Sequence, residues 1–239
     1  MIKTRIQAFL FHFLISALAI IGLYLVVITL WYPKPFVSIG AITGLQIIIG
    51  VDLVLGPLLT LLVFDIKKKS LKFDLSIIAF IQLACFVGGT WVLFNERPVA
   101  QILTDKEIHV ITASDFNYFD IQLDNHESTT LPPSFLLGLP DDWSQIPSLE
   151  LTTEFVDGIP FVFRTDLYIP FDKIDDIEFN NRILKMREKI GSSVDEIPNN
   201  DENCDWVPIT SAHASGNACV NLKSGIIKLS EPKSFFNFN

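Results

Sequence analysis

Three apolar stretches early in the chain constrain this protein more than any other feature of its sequence. They run from Ala8 to Trp31, from Leu45 to Phe64 and from Asp74 to Phe94. A helix needs about 20 mostly apolar residues to cross the hydrocarbon of a bilayer, and each stretch meets that length. One such stretch alone would also suit a buried core helix, but three in close succession, almost free of charge, fit membrane spans. A cleaved signal peptide is the other reading of the first stretch, because Ser16, Ala17, Leu18 and Ala19 resemble a small-residue cleavage site. Cleavage there would strand Ile20 to Trp31 as an apolar stub, so this stretch too reads as a span.

Composition divides the chain at the same place. Of 239 residues, 49% are hydrophobic and 20 are phenylalanine, with a mean hydropathy of +0.40. Residues 1–94 carry 7 Lys and Arg against 3 Asp and Glu, whereas residues 95–239 carry 11 against 24, a formal charge of −13. The expectation is a three-helix transmembrane domain over residues 1–95 and a second domain over residues 96–239. So acidic a domain is a poor partner for nucleic acid.

Basic residues in the short loops set the orientation. Lys3 and Arg5 precede the first span, and Lys67, Lys68, Lys69 and Lys72 separate the second from the third, while Lys34 alone separates the first from the second. The N-terminus and the Asp65–Phe73 loop are therefore expected in the cytoplasm. An odd number of spans then exports everything after Phe94.

Cysteine placement agrees with an exported domain. Cys204 and Cys219 lie in it, and an oxidising compartment would let them join. Closing a loop of that size stabilises by roughly 3 kcal/mol in the chain-entropy picture. His213 lies between them and opens a metal reading, but the spacing matches no zinc pattern and a fourth ligand is missing. Cys85, inside the third span, reads as a small buried hydrophobe.

The exported part reads as a small α+β domain. Between Asp172 and Gly191, Ile174, Ile177, Ile183, Leu184 and Ile190 suggest one apolar helical face, with Asp172 as N-cap. Early acids and late bases suit the helix dipole. Strand signals cover Val99–Thr104, Ile108–Thr112, Leu149–Val156, Phe161–Phe163, Val220–Leu222 and Ile226–Leu229, with turns at Asp157-Gly158 and at Gly225. The segments Asp120–Pro133 and Ser192–Asp205 read as polar loops. Trp31 and Tyr32 are placed at headgroup level, where amphipathic rings settle.

One carboxylate stands inside the second stretch. At ~1.5 Å per residue, Asp52 lies about 10 Å below the outer end of its span, within hydrocarbon. Asp52, Gly56 and Thr60 recur every four residues and share a face, and Gly56 admits a second backbone at close range. Pro57 removes an amide and predicts a kink. A charge facing lipid is costly, so the face should turn inward, with Gln82, Ser16 and His12 as candidate polar neighbours. Asp52 then either fixes the packing of three helices through Gln82 or meets a fourth helix from another protein on a docking face. A proton relay is the weakest reading, because it needs several titratable groups in series.

Enzyme signatures are absent: no G-x-S-x-G, H-E-x-x-H, P-loop or G-x-G-x-x-G is found. His109, His126 and His213 are dispersed. The expectation is a protein that is not an enzyme and uses no cofactor and no metal.

Several linked segments resemble a known family. Arg5, Ala8, Phe9 and His12, then Trp31-Tyr32-Pro33, Gly50-Val51-Asp52, Leu55-Gly56-Pro57-Leu58-Leu59-Thr60, Lys67-Lys68-Lys69-Ser70-Leu71-Lys72 with Asp74, and Arg97-Pro98-Val99 are similar to the TfpX/TfpZ family of type IV pilin accessory proteins. The likeness covers residues 3 to about 112; beyond it, only Asp166–Phe171 and the Ser224-Gly225 hairpin match loosely. What the resemblance implies is a multi-pass protein of a bacterial inner membrane with a periplasmic C-terminal domain. It further implies a pilin-specific assembly factor or chaperone for a cognate major type IV pilin, with other pilus assembly components and membrane lipid as further partners. No prepilin leader precedes Ala8, so the chain does not read as a pilin itself. The competing class is a membrane-anchored periplasmic ligand-binding or sensor protein.

Overall fold

A computed structural model describes residues 4–123, 130–138, 159–190, 204–230 and 233–234. The chain forms two compact units, one of Met1–Pro33 with Gly40–Glu96 and one of Lys34–Ile39 with Arg97–Asn239.

The first unit is helical. Helix α1 spans Arg5–Val26 and runs on as a π-helical turn, Val27–Trp31. Thr4 caps it, accepting from the Gln7 amide while the Gln7 side chain accepts from Thr4 N–H, so two orphan donors of the first turn are satisfied. The second span is built of α2 (Ala41–Ile49), a π-helical stretch Gly50–Leu55, and α3 (Gly56–Val63). Helix α4 spans Leu71–Asn95. All three spans, Arg5–Trp31, Ala41–Val63 and Leu71–Asn95, are long and apolar enough to cross a membrane. Each begins three or four residues earlier than hydropathy predicts, because polar or small residues at the water boundary join the first turn.

Apolar side chains in this unit point mostly outward. Leu10, Leu14, Leu18, Phe80 and Trp91 are exposed, whereas α1 buries Ala8, Ser16, Ile20 and Leu23 along one stripe. Small and polar groups inside with large apolar groups outside is the pattern expected when lipid is the solvent. One expectation needs correction. Cys85 is exposed on the surface of α4 rather than buried. Tyr32 is buried, and its hydroxyl donates to the Leu93 carbonyl at 3.1 Å, one of the carbonyls left free at the end of α4. Trp31 packs edge-on against Phe94.

The second unit is a curled sheet with helices on both faces. In chain order its elements are β1 (Pro98–Leu103), β2 (Ile108–Thr112), α5 (Ala113–Tyr118), β3 (Ser134–Leu137), β4 (Tyr168–Pro170), α6 (Asp176–Ile190), β5 (Asp205–Ser211), β6 (Ala214–Asn221), β7 (Gly225–Leu229) and β8 (Lys233–Ser234). The strand order is β4-β3-β1-β2-β5-β6-β7, with β8 also paired to β6. Antiparallel pairs are β1/β2, β3/β4, β5/β6 and β6/β7; β1/β3 and β2/β5 are parallel. Alternation along each strand divides the core between two faces. Leu103, Ile108, Val110, Leu136, Val207 and Ile209 pack with Phe179, Ile183 and Met186 of α6. Ala100, Ile102, Ile111, Phe135 and Leu137 pack with Phe116 of α5 and with Tyr168.

The sheet is tied back on itself. Gln101 of β1 is buried, donates to the Pro132 carbonyl and accepts from the Ile226 amide, both at 3.0 Å, although β1 and β7 are not neighbours in the sheet. Gly225 makes that approach possible. Its φ is +65°, and a Cβ there would collide with Ser134 Oγ. Cys204 and Cys219 form a disulfide joining the start of β5 to β6, which uses both thiols and removes the metal reading.

Other expectations shift in detail. Helix α6 begins at Asp176, and its first turn is capped by Asp175, whose carboxylate accepts from Glu178 N–H at 2.7 Å; Asp172 sits in a separate 3-10 turn, Phe171–Lys173. The buried face is Phe179, Ile183 and Met186, while Ile177 and Leu184 are exposed on the opposite side. Phe161–Phe163 is a 3-10 turn rather than a strand. Asp205 opens β5 instead of closing a loop. The expected strand at Leu149–Val156, the Asp157-Gly158 turn, His126 and most of the Ser192–Asp205 loop lie outside the described residues.

The segment between the first two spans contributes to the second unit: Phe36 and Ile39 are buried in the same cluster as α6 and the sheet. Phe36 is 1% exposed, so Phe36→Ala should open a cavity and destabilise this unit by about 3–5 kcal/mol. Pulse proteolysis of the full chain in urea reads this as a lower midpoint for loss of the resistant domain fragment; an unshifted midpoint would contradict it.

Candidate functional site

The polar site inside the bundle is generated by Pro57. An α-helix would use the amide of residue 57 to satisfy the carbonyl of residue 53, and proline has none. The chain responds one turn earlier by widening into a π-helix, in which Gly56 N–H reaches back to the Val51 carbonyl. In that wider register the next donor, owed to the carbonyl of Asp52, falls on Pro57 itself. Gln82 of α4 supplies it, its Nε2 donating to the Asp52 carbonyl at 3.3 Å. Hydrocarbon offers no water to perform this service.

Gly56 is what lets Gln82 arrive. A Cβ at that position would occupy the space of the Gln82 amide. One turn further, Thr60 Oγ1 lies 2.6 Å from His12 Nδ1 of α1. Asp52, Gly56 and Thr60 thus share the predicted face, and all three are buried. The face is turned toward α1 and α4, with His12 and Gln82 seated on it, and packed this way it is closed to a fourth helix. Ser16, also buried, lies one turn beyond His12 on the same stripe of α1. His12 therefore pairs with Thr60, not with Asp52. Gln82 meets the main chain of Asp52, not its carboxyl group.

Two buried oxygens make no hydrogen bond here, Asp52 Oδ2 and Gln82 Oε1, and a third, Thr90 Oγ1, is buried elsewhere on α4. Sequence reading found the first two residues and missed Thr90, whose hydroxyl is hidden in an otherwise apolar run. Lys67, Lys68, Lys69 and Lys72 are exposed around the turn joining α3 to α4, with Lys68 Nζ 2.6 Å from Asp74. Among the described residues, no group of three or more His, Cys, Asp and Glu is arranged to hold a metal ion.

The sheet unit contains polar groups with displaced titration. Burial lowers the affinity of His109 for a proton, opposed by the nearby Glu107 carboxylate, which also accepts a hydrogen bond from Thr210 across the β2/β5 pair. Arg164 donates twice to Asp166 and holds that carboxyl below its usual range. Burial, with the charge of Asp166, pushes the Tyr168 phenol up; its hydroxyl donates to the Val162 carbonyl. These pairs fasten turns and strands to one another. They converge on no shared cleft.

No known family profile matches the chain, and no solved structure does. Curated proteins of Dichelobacter nodosus do match. The fimbrial assembly protein of serogroup E1 is 34% identical over 107 residues, and that of serogroup I is 35% identical over 107 residues; each match covers 44% of this chain and 42% of the relative. The fimbrial assembly protein of serogroups C1 and C2 is 34% identical over 107 residues, covering 44% of this chain and 82% of the relative. This chain belongs to the fimbrial assembly protein family. The match spans less than half the length of the first two relatives.

In this member of the family the asymmetry between Gln82 and Asp52 is testable. Gln82→Leu strands a buried carbonyl, at a cost of about 1–3 kcal/mol. Asp52→Leu keeps the acceptor, which belongs to the backbone, and should cost less. Thermal unfolding of the two variants in detergent, followed by helical circular dichroism, should place Gln82→Leu below Asp52→Leu. The reverse order would mean that the carboxyl group, not the carbonyl, holds the bundle.

Proposed function

We propose that this protein is a non-enzymatic inner-membrane factor for type IV pilus biogenesis that binds a cognate major pilin before its assembly. The observation carrying the reading is the match to proteins named for fimbrial assembly, joined to an architecture of three spans plus an acidic sheet domain. A subunit awaiting assembly in a membrane presents a helix in lipid and a folded head in water. A protein with both kinds of surface engages both, and each contact raises the effective concentration for the other. With the Asp52, Gly56 and Thr60 face committed to internal packing, the lipid-facing surface of the bundle is left for the client helix. The acidic domain supplies selectivity by charge complementarity.

The orientation belongs to the same proposal: N-terminus and Lys67–Lys72 turn in the cytoplasm, sheet domain in the periplasm. The lysine count supports it. The core supports its parity independently, since Phe36 and Ile39 precede the second span and yet pack among residues that follow the third. Those two segments must share one side, and two intervening spans deliver that. A disulfide in the sheet unit suits an oxidising compartment.

Two measurements test these statements. Affinity capture of the full-length protein from solubilised membranes should recover the major pilin, and deletion of the gene should reduce surface pili; loss of neither would reject the function. Alkaline phosphatase fused after Asn239 should be active and the same enzyme inserted at Lys69 inactive, with the opposite pattern rejecting the orientation.

A further inference from the structure

The helical unit carries a cavity of about 370 Å³ lined by Ala8, Phe11, Ile15, Phe64, Leu75 and Ala79, with the His12–Thr60 pair in its wall. Its lining is almost wholly apolar, so water gains few partners there. An empty void between helices forfeits the dispersion contacts of every atom around it. The surrounding solvent of these spans is hydrocarbon, which supplies a filling at hand. What distinguishes this cavity from any gap between helices is the register of charge above it.

On α4, Lys72, Leu75 and Ala79 follow one another at three and four residues, so Lys72 stands at the head of the stripe that forms one wall. On α1, Arg5 heads the stripe of Ala8, His12 and Ile15 in the same way. Phe64, from the second span, is followed directly by the turn that carries Lys67, Lys68 and Lys69. Two acids oppose this collar: Asp65 lies 3.9 Å from Arg5 and Asp74 lies 2.6 Å from Lys68. Five bases against two acids leave a positive excess, and Lys67, Lys69 and Lys72 are exposed. From Arg5 to Ile15 the stripe runs ten residues, about 15 Å at the helical rise, which matches half of a ~30 Å hydrocarbon core.

We propose that this cavity and its basic collar form a binding site for one anionic phospholipid, an acyl chain lying along Ala8, Ile15 and Ala79 and the phosphate held by Lys67, Lys69 and Lys72. Charge complementarity with a polybasic turn at the end of a span selects an anionic headgroup, and the cavity fixes a chain beneath it. The site is independent of the client-binding reading, since it needs no pilin.

Native mass spectrometry of the full-length protein in mild detergent tests it, with dioleoylphosphatidylglycerol and dioleoylphosphatidylcholine as probes. The expected result is one retained phosphatidylglycerol, bound about tenfold more tightly than phosphatidylcholine. Replacing Lys67, Lys69 and Lys72 together by Gln should erase that preference while leaving helical content unchanged, because all three lie on the exposed turn. Ala79→Trp, which fills the cavity, should weaken retention of both lipids at least fivefold, and Ala79→Leu should do so to a smaller degree. Inorganic phosphate at millimolar concentration should not displace the lipid; displacement would assign the collar to a soluble anion and overturn the proposal. Equal retention of the two lipids by the unmodified protein would overturn it as well. So would an Ala79→Trp protein that keeps its phosphatidylglycerol but loses a co-purified membrane protein, which would make the occupant a partner helix.

Discussion

In hydrocarbon every backbone N–H and C=O must find a partner within the protein, and much of the bundle follows from how one proline breaks that rule. Pro57 withholds a donor in the middle of a span. The chain compensates with a π-helical stretch over Gly50–Leu55, which moves the unsatisfied acceptor to the Asp52 carbonyl. From there the requirement propagates outward. A donor must come from a neighbouring helix, so Gln82 sits inside an otherwise apolar α4. Room must be left for its amide, so position 56 is glycine. The carboxyl group of Asp52 is secondary in this chain of causes, though it is the feature that catches the eye in the sequence.

The sheet unit solves a different problem in a related way. A seven-strand path of short strands offers two faces to be covered and edges to be closed. Helix α6 and α5 cover the faces, and Gln101 reaches from β1 to the first amides of β7, so that a central strand secures an edge. Buried glutamines therefore do comparable work in both units: each donates to a carbonyl that regular secondary structure leaves open. The disulfide at the start of β5 fixes the one hairpin whose preceding chain is a long polar stretch.

Much of this organisation is legible in the sequence because it rests on local pattern. Span lengths follow from hydropathy, and the β1/β2 and β6/β7 hairpins follow from alternation bracketing short turns. The Cys204–Cys219 pairing follows from there being only two cysteines after the third span. What is not legible depends on distant residues. The parallel pairs β1/β3 and β2/β5 join segments with no turn between them. The buried face of α6 is not legible from aliphatic spacing, because it centres on Phe179 and Met186, while Ile177 and Leu184 carry the same hydrophobic signal on the side the sheet does not cover. At the polar site, Asp52, Gly56, Thr60, Gln82 and His12 could all be found by their oddity in an apolar run. Their pairing could not, because the π-helical register decides which groups are left unpaired.

The placement of Phe36 and Ile39 adds a constraint on how the chain is made. These residues emerge before the second span is synthesised, whereas the strands and the helix that bury them begin only after the third. The short inter-span segment must therefore wait, with an aromatic and a branched side chain uncovered, until residues up to at least β7 have been delivered to the same side of the membrane. Burial of Phe36 is then a late event that reports insertion of both the second and the third span. A chain in which either of these two failed to cross would separate this segment from its core by the bilayer itself. The sheet unit would be left with a gap where Phe36 belongs, and the loss, of the order of a large-to-small core substitution, would fall on the domain rather than on the misinserted helix. Membrane topology and the stability of the folded domain are in this way made one condition.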